Sequence, residues 1–392
     1  MSTVLRTSWW VLLFALGVLQ QANAQTSPAA ASPAAASPAA ASPAAPALHT
    51  RNVVLIVSDG LRWQEIFTGA DPTLLNEKYG GIWEDEAQLR REFWRADVNE
   101  RRKALFPFLW TTVATRGQIF GNRLKDSKAR VTNGLAFSYP GYNEMLTGHP
   151  DPRIDSNDFG PNPNVSAFEW LNSLPDLHGR VSVYATWKTF KDIFNVQRSG
   201  LPLQVGWDLP YRGTRDARQA LLNRLYETTT RLDDEDVYDA FLQVPLIESF
   251  SHSEPRVLFV GFGETDNWAH AGRYDLVLHA AHVFDQFVAE LWNTLQQLPA
   301  YRDQTTFIIT TDHGRGSGLV EWKEHGVEEK GSENIWIAVL GPDTPPLGER
   351  TRTAEVHQAQ IAATVAALLG KNYPQAVPAA APPIADVLGR RP

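Results

Sequence analysis

The chain contains no cysteine, and that absence closes several routes at once. No disulfide can brace the fold, and no thiolate can serve as nucleophile or soft metal ligand. Any zinc must therefore be held by histidine and carboxylate. A long apolar run is missing too. The most apolar stretch, residues 9–19, is too short to span a bilayer as a helix. Excess positive charge is also lacking: the 392 residues carry a formal net charge of −8. That balance argues against a protein that grips the nucleic-acid backbone. It says little about small anionic substrates, because bound divalent cations would reverse the local field. No internal repeat is visible in the globular part.

The N-terminus is organised for export. Arg6 precedes the apolar stretch, and Ala22-Asn23-Ala24 forms a small-residue cleavage site, so residues 1–24 read as a signal peptide with Gln25 the first mature residue. Loss of Arg6 with the leader takes the net charge from −8 to −9. The expectation is a periplasmic or secreted protein with no mature transmembrane segment. Residues 25–48 repeat Ser-Pro-Ala-Ala-Ala with little variation. Proline every few residues blocks helix and little apolar surface is offered, so this segment is expected to be an extended, disordered tether. Residues 49–392 are long enough for one large domain.

Five apolar, β-branched runs stand out, at 53–57, 181–184, 257–261, 306–310 and 335–340. Short continuous runs of this kind suit parallel strands buried on both faces. Amphipathic helical patterns fall between and after them, at 216–228, 234–247, 274–298 and 355–369, the last stopping at Gly370. Residues 143–146 open no long helix by themselves. Residues 68–130 are polar and charged and read as an excursion from the core. The alternation predicts an α/β fold with a doubly wound, mostly parallel central sheet flanked by helices. Ligands gather beyond the carboxyl ends of such strands, and Asp59, Asp266 and Asp312 each follow a strand closely.

The chemistry gathers in those places. Asp266 and His270, four residues apart, share one face of a helical turn and can share one cation. Asp312 and His313 stand at the tip of a strand, where a turn can aim both at one centre. His325 follows in a loop, and Asp59 adds a fourth segment. A His/Asp set of this kind favours zinc, with manganese or iron as rivals. Between them lies Ser138, in FSYPGYNEMLTG. Pro140 places its hydroxyl near a helix start, where backbone N–H groups favour a developing anion. A serine hydroxyl is a weak nucleophile at neutral pH, which a bound cation remedies. The ligands divide into two sites, Asp59, Asp312, His313 and Ser138 in one and Asp266, His270 and His325 in the other. Two metals flanking a phosphoryl group stabilise both attacking and leaving oxygens.

The order Asp-Gly, Ser-x-Pro, Asp-x-x-x-His, Asp-His-Gly, His-Gly resembles the alkaline phosphatase superfamily, most of all its nucleotide pyrophosphatase/phosphodiesterase branch. SDGLRWQEIF is similar to that branch's first metal motif, and Ser138 stands where a threonine is usual. His325-Gly326 followed by IWIAVLGP resembles its last ligand, which is why His325 is preferred to His357. The resemblance implies two divalent metal ions, a covalent phosphoserine intermediate and a small phosphate-ester substrate. It also implies an oxyanion-binding asparagine about twenty residues past the nucleophile. Asn157 lies near that spot, while Arg153 and Asn164 are alternatives. Gly141 departs from the family, which has asparagine there, and the gap from Asp312 to His325 is short.

Two other readings share these residues. A sulfatase would need Cys or Ser followed by x-Pro-x-Arg, and here Tyr142 stands in the arginine's place. A catalytically inactive envelope binding module would be expected to have lost a ligand, yet all seven metal-site positions are filled. His279 and His282, on the 274–298 helix, lack a carboxylate motif at a strand end and read as ordinary helix residues, as do His49, His149, His178 and His252 elsewhere. Trp63, Tyr139, Tyr142 and Trp268 neighbour proposed ligands, where they could stack on an aromatic leaving group or simply pack. Monoester versus diester and the oligomeric state are open at this stage.

Overall fold

A computed structural model of the chain describes residues 47–389 except Glu84. The leader and the tether through residue 46 lie outside those residues. The strands are β1 (Asn52–Ser58), β2 (Gln118–Phe120), β3 (Ala129–Arg130), β4 (Val181–Ala185), β5 (Leu203–Val205), β6 (Val257–Phe262), β7 (Thr305–Thr310), β8 (Ile337–Leu340), β9 (Gly348–Glu349) and β10 (Val356–His357). Eight form one sheet in the order β5-β4-β6-β1-β7-β8-β2-β9, and β10 pairs with β3 in a small second sheet. Neighbours from β5 to β7 run parallel. Only β8 runs against its neighbours, so the sheet is mostly parallel, as the alternation predicts.

The continuous apolar runs have a plain cause. Successive side chains of a strand point to opposite faces, and both faces here are covered. From β1, Val54 and Ile56 enter one core, while Val53, Leu55 and Val57 enter the other. β6 divides likewise, Leu258, Val260 and Phe262 against Val257 and Phe259. The first core is roofed by the helix Tyr274–Gln297, whose buried positions include Val277, Leu278, Ala281, Phe284, Val288 and Leu291, a 3.6-residue stripe. The second is roofed by the helices Ser138–Thr147 and Gln360–Leu368. Each fully buried aliphatic side chain contributes roughly 1.5–3 kcal/mol, so the central strands are the firmest part of the platform.

Several boundaries differ from the sequence expectation, each for a local reason. The helix read at 234–247 forms at Asp239–His252, because Asp233 Oδ1 accepts from the Glu235 and Asp236 amides, both at 2.8 Å. That turn competes with helix. The helix read from 355 begins at Gln360, after Val356 and His357 have paired with β3. Residues 143–146 belong to a ten-residue helix, Ser138–Thr147, every residue of which is buried. The 68–130 excursion does not stay outside the core, because β2 joins the sheet beside β8. Parallel register aligns Ser58 with Phe262, Val57 with Thr310 and Ala185 with Gly261. The residues that follow β1, β4, β6 and β7 therefore emerge at one edge. Among the described residues, no helix is long and apolar enough to cross a membrane.

Candidate metal and nucleophile centre

Asp59 leaves β1 and is turned into the site by Gly60, which takes the left-handed conformation with φ +59°. A β-carbon at Gly60 would lie 2.5 Å from Asp266 Oδ1, so glycine is needed both for the turn and for the close approach. The Gly60 amide donates to Asp312 Oδ1 at 3.0 Å. Tyr142 O–H donates to Asp59 Oδ2 at 3.0 Å. The remaining oxygens, Asp59 Oδ1 and Asp312 Oδ2, are buried without a hydrogen-bond partner. They lie 3.3 and 3.4 Å from His313 Nε2. Burial first, then the neighbouring carboxylate, pushes both acids well above the usual carboxylate range (Asp266 acts on Asp59, and Asp59 on Asp312). Two orphaned carboxylate oxygens facing one imidazole nitrogen fit a divalent cation, which would relieve both penalties.

His313 is fully buried, and its Nδ1 meets the Gly314 carbonyl at 2.9 Å. Nδ1 therefore carries the proton, leaving the Nε2 lone pair aimed into the site as a metal ligand requires. Ser138 Oγ is 3.4 Å from that Nε2. Asp266 and His270 both lie on the helix Glu264–His270, with His270 Nε2 at 3.3 Å from Asp266 Oδ2. His325 Nε2 is 3.0 Å from His270 Nε2 and 3.7 Å from Asp266 Oδ1. Burial, reinforced by His313, pushes the His325 imidazole down to about 2, so it is neutral and free to bind a cation. Asp266 runs the other way. Burial works to raise it, but Arg315, whose guanidinium contacts Oδ1, and its histidine neighbours hold it well below the usual range.

Among the described residues, two groups converge closely enough to hold metal: Asp59, Asp312 and His313, and Asp266, His313 and His325. The first is the trio expected with Ser138. The second draws in His313 where the sequence division has His270, so His313 stands between the two centres and its ring stacks on His325 at 3.9 Å. His270 still faces the second group, at the distances given above, and is its more exposed member.

Ser138 opens its helix, and the N–H groups of the next residues are already engaged or lacking. The Tyr139 amide donates to Asn157 Oδ1 at 3.0 Å, Pro140 has none, and the Gly141 amide donates to the Phe137 carbonyl at 3.0 Å. Asn157 lines the cleft beside Ser138. Arg153 instead pairs with Asp151, and Asn164 donates to Asn143 and Asp151, so both build the scaffold beside the helix. His357 sits away from the centre, against a separate hollow with Arg130 and Glu355. His279 and His282 pack edge-on to Phe93.

The cleft above these residues encloses about 230 Å³ and is walled on the far side by Thr186, Trp187, Phe190, Asp236 and Asn267. None of these five was singled out from sequence. Asn267 follows Asp266 directly and Thr186 follows β4 as Asp59 follows β1, a positional signal that points to these two. Burial, then Asp233, pushes Asp236 up to about 7. Of the four aromatics noted beside the ligands, Tyr142 reaches the site, Tyr139 donates to the Gly160 carbonyl, and Trp63 and Trp268 pack on the first core.

Residues 226–373 match the model of a family described as the Metalloenzyme superfamily, a span that holds Asp266, His270, Asp312, His313 and His325. Among solved structures, alkaline phosphatase PafA superposes with a TM-score of 0.56 at 10% identity, over 88% of this chain and 100% of that one. The phosphonate monoester hydrolase SpPMH from Silicibacter pomeroyi gives 0.53 at 12% identity, over 88% and 78%. The lipoteichoic acid synthase LtaP from Listeria monocytogenes gives 0.52 at 11%, over 82% and 72%. These likenesses show the fold. No curated protein matches the chain. The chain therefore shares its α/β fold with these enzymes, and residues 226–373 are similar to the Metalloenzyme superfamily.

Proposed function

We propose that the chain is an exported phosphoric ester hydrolase that works with two divalent cations, zinc or manganese, and with Ser138 as nucleophile. The observation that carries this reading is the convergence on His313 Nε2 of two orphaned carboxylate oxygens and the Ser138 hydroxyl, all within 3.4 Å. Asp59, Asp312, His313 and Ser138 would hold one cation, and Asp266, His270 and His325 the other. Bound there, the cations supply Lewis-acid stabilisation to the serine alkoxide and to the leaving oxygen.

The residues of the chain do the rest. Ser138 Oγ attacks phosphorus, the P–O bond to the leaving group breaks, and that oxygen departs with the bonding pair. The proton Ser138 gives up ends on that oxygen. Water then attacks the phosphoserine phosphorus from the vacated side, the Oγ–P bond breaks with its pair going to Oγ, and the proton water loses restores the Ser138 hydroxyl as phosphate is released. Asn157 Oδ1 is engaged by Tyr139, so Nδ2 is the atom left to donate to a phosphate oxygen. Tyr142 fixes Asp59, and Phe190, Phe262 and Trp187 give the cleft an apolar wall.

Within the superfamily, SDGLRWQEIF and His325-Gly326 favour the nucleotide pyrophosphatase/phosphodiesterase branch. The absence of arginine after Pro140 disfavours the sulfatase reading. The leader and the Ser/Pro/Ala tether support export. The test is metal content of the purified protein together with hydrolysis of p-nitrophenyl phosphate, its diester and its sulfate. About two metal ions per chain and turnover of one phosphate ester are expected. A metal-free protein inert even after metal addition would instead be a binding module, and preferential turnover of the sulfate would make it a sulfatase.

A further inference from the structure

Glu144 lies six residues beyond Ser138 on the same helix and is fully buried. Among the described residues, no lysine, arginine or histidine forms an ion pair with it. Its Oε1 accepts from the Thr132 amide at 2.9 Å, the Thr132 hydroxyl at 2.7 Å and the Ala359 amide at 3.2 Å. Its Oε2 accepts from the Thr132 amide, the Asn133 amide and Asn133 Nδ2, each at 2.9 Å. Every partner is a donor, so both oxygens must accept, which an ionised carboxylate does and a carboxamide cannot. Charge-assisted bonds of this kind are the strong ones, and a buried carboxylate left without them is costly.

The three segments joined at this carboxylate all bear on the nucleophile. Asn133 Oδ1 accepts from the Leu135 and Ala136 amides, both at 2.9 Å, and Ala136 is held at φ +50°. That loop delivers the chain into Phe137 and Ser138. Beside Ala359, Gln358 Nε2 donates to the Asp312 carbonyl at 2.6 Å. Glu144 thus ties the nucleophile's helix, the loop that enters it, and the turn that braces the Asp312 backbone.

We propose that Glu144 is the positioning residue that sets where Ser138 Oγ stands relative to Asp312 and His313. It touches no substrate and acts only through backbone amides and the side chains of Thr132 and Asn133. The inference rests on the nucleophile reading of Ser138 for its kinetic part and on geometry alone for its structural part. A misplacement of a reacting group by about 1 Å costs on the order of 100-fold in rate.

The experiment compares wild type with Glu144→Gln and with the milder Asn133→Ala, which removes one donor to Oε2 and the clasp on Leu135 and Ala136 without burying an unpaired charge. Two readouts are taken on metal-loaded protein: kcat and KM for p-nitrophenyl phosphate or its diester, and hydrogen exchange of segment 132–138. The expected result is a kcat lowered by roughly 10- to 100-fold with KM and metal content near wild type, and faster exchange confined to that segment. Unchanged kcat and exchange in folded Asn133→Ala, or a kcat loss that tracks only the loss of folded or metal-loaded protein, overturns the proposal. Wild-type protein with no esterase activity defeats the functional reading instead. The exchange arm then still decides whether Glu144 holds the loop.

Discussion

The α-carbon of Gly141 rests against the backbone carbonyl of Asp312, and a β-carbon there would sit 2.5 Å from that oxygen. The nucleophile's helix is therefore pressed onto the end of the strand that supplies two of the metal-site side chains. The asparagine that the resemblance to the alkaline phosphatase superfamily would place here is thus excluded on steric grounds: the obstructing atom is backbone and cannot swing aside. Gly141→Ala is expected to push the helix away from Asp312, costing about 1–3 kcal/mol of stability and lowering kcat by about tenfold or more. Thermal unfolding and steady-state kinetics on the purified variant check both. Wild-type kinetics would show that the helix has room to move.

Tyr142 gives a subtler handle on the same centre. Its hydroxyl donates to Asp59 Oδ2, and burial followed by the nearby Asp312 and Asp59 carboxylates raises its own pKa well above the ordinary phenol range, so it remains a donor at any working pH. Removing a partner that orients a ligand typically weakens metal affinity by about 10- to 100-fold. Tyr142→Phe is expected to do so while the fold holds, because the ring still packs on Phe190 and Phe259. Competition with a metal chelator, followed by metal analysis, measures it. Equal retention in both proteins would remove Tyr142 from the centre.

These two contacts also mark where the sequence stops being legible. The central strands announce themselves because burial on both faces leaves no polar alternation to blur them, and Asp59, Asp266 and Asp312 follow them so closely that topology alone gathers them. Strands of two or three residues, such as Gln118–Phe120 and Gly348–Glu349, are too short for any periodicity to register. Glu144 and Arg315 are single charges in the sequence. Nothing local says that Glu144 will meet Thr132 and Ala359, or that Arg315 will reach back to Asp266 across the cleft floor. The start of the nucleophile's helix is legible only in part. Pro140 points to a helix start, but Asn157 takes the Tyr139 amide there, a contact eighteen positions apart that spans most of the helix and the loop after it.

Ser138→Ala tests the chemistry without disturbing the frame. The hydroxyl's recorded contact is to His313 Nε2 at 3.4 Å, so its loss frees no buried donor elsewhere. Turnover is expected to fall by several orders of magnitude, on the order of 1000-fold or more, with thermal midpoint and metal content close to wild type. Acid quench during turnover, followed by peptide mass spectrometry, should find phosphate on Ser138 in the wild-type protein and none in the variant. Activity that survives the substitution would move the nucleophile to water.

Asp285 offers a prediction far from the cleft, and its sign is unambiguous. The side chain caps the turn before Leu109–Val113, accepting from the Phe108 and Leu109 amides at 2.7 and 2.9 Å. Burial outweighs those two bonds and pushes its carboxyl from an ordinary value near 3.8 up to about 7. A folded pKa above the unfolded one means the stabilisation is full below pH of about 4 and is lost as pH rises toward 7. The rise corresponds to roughly 4 kcal/mol across that window. Asp236 is raised to about 7 as well, so the comparison must be made against a variant of Asp285 alone. Asp285→Asn cannot titrate and can accept from only one of the two amides through its oxygen, so it should be less stable at pH 4. The gap between wild type and variant should then shrink as pH rises to 7. Thermal midpoints of both proteins measured across pH 4–8 decide it, and a gap that stays constant would mean Asp285 is already ionised in the folded protein at pH 4.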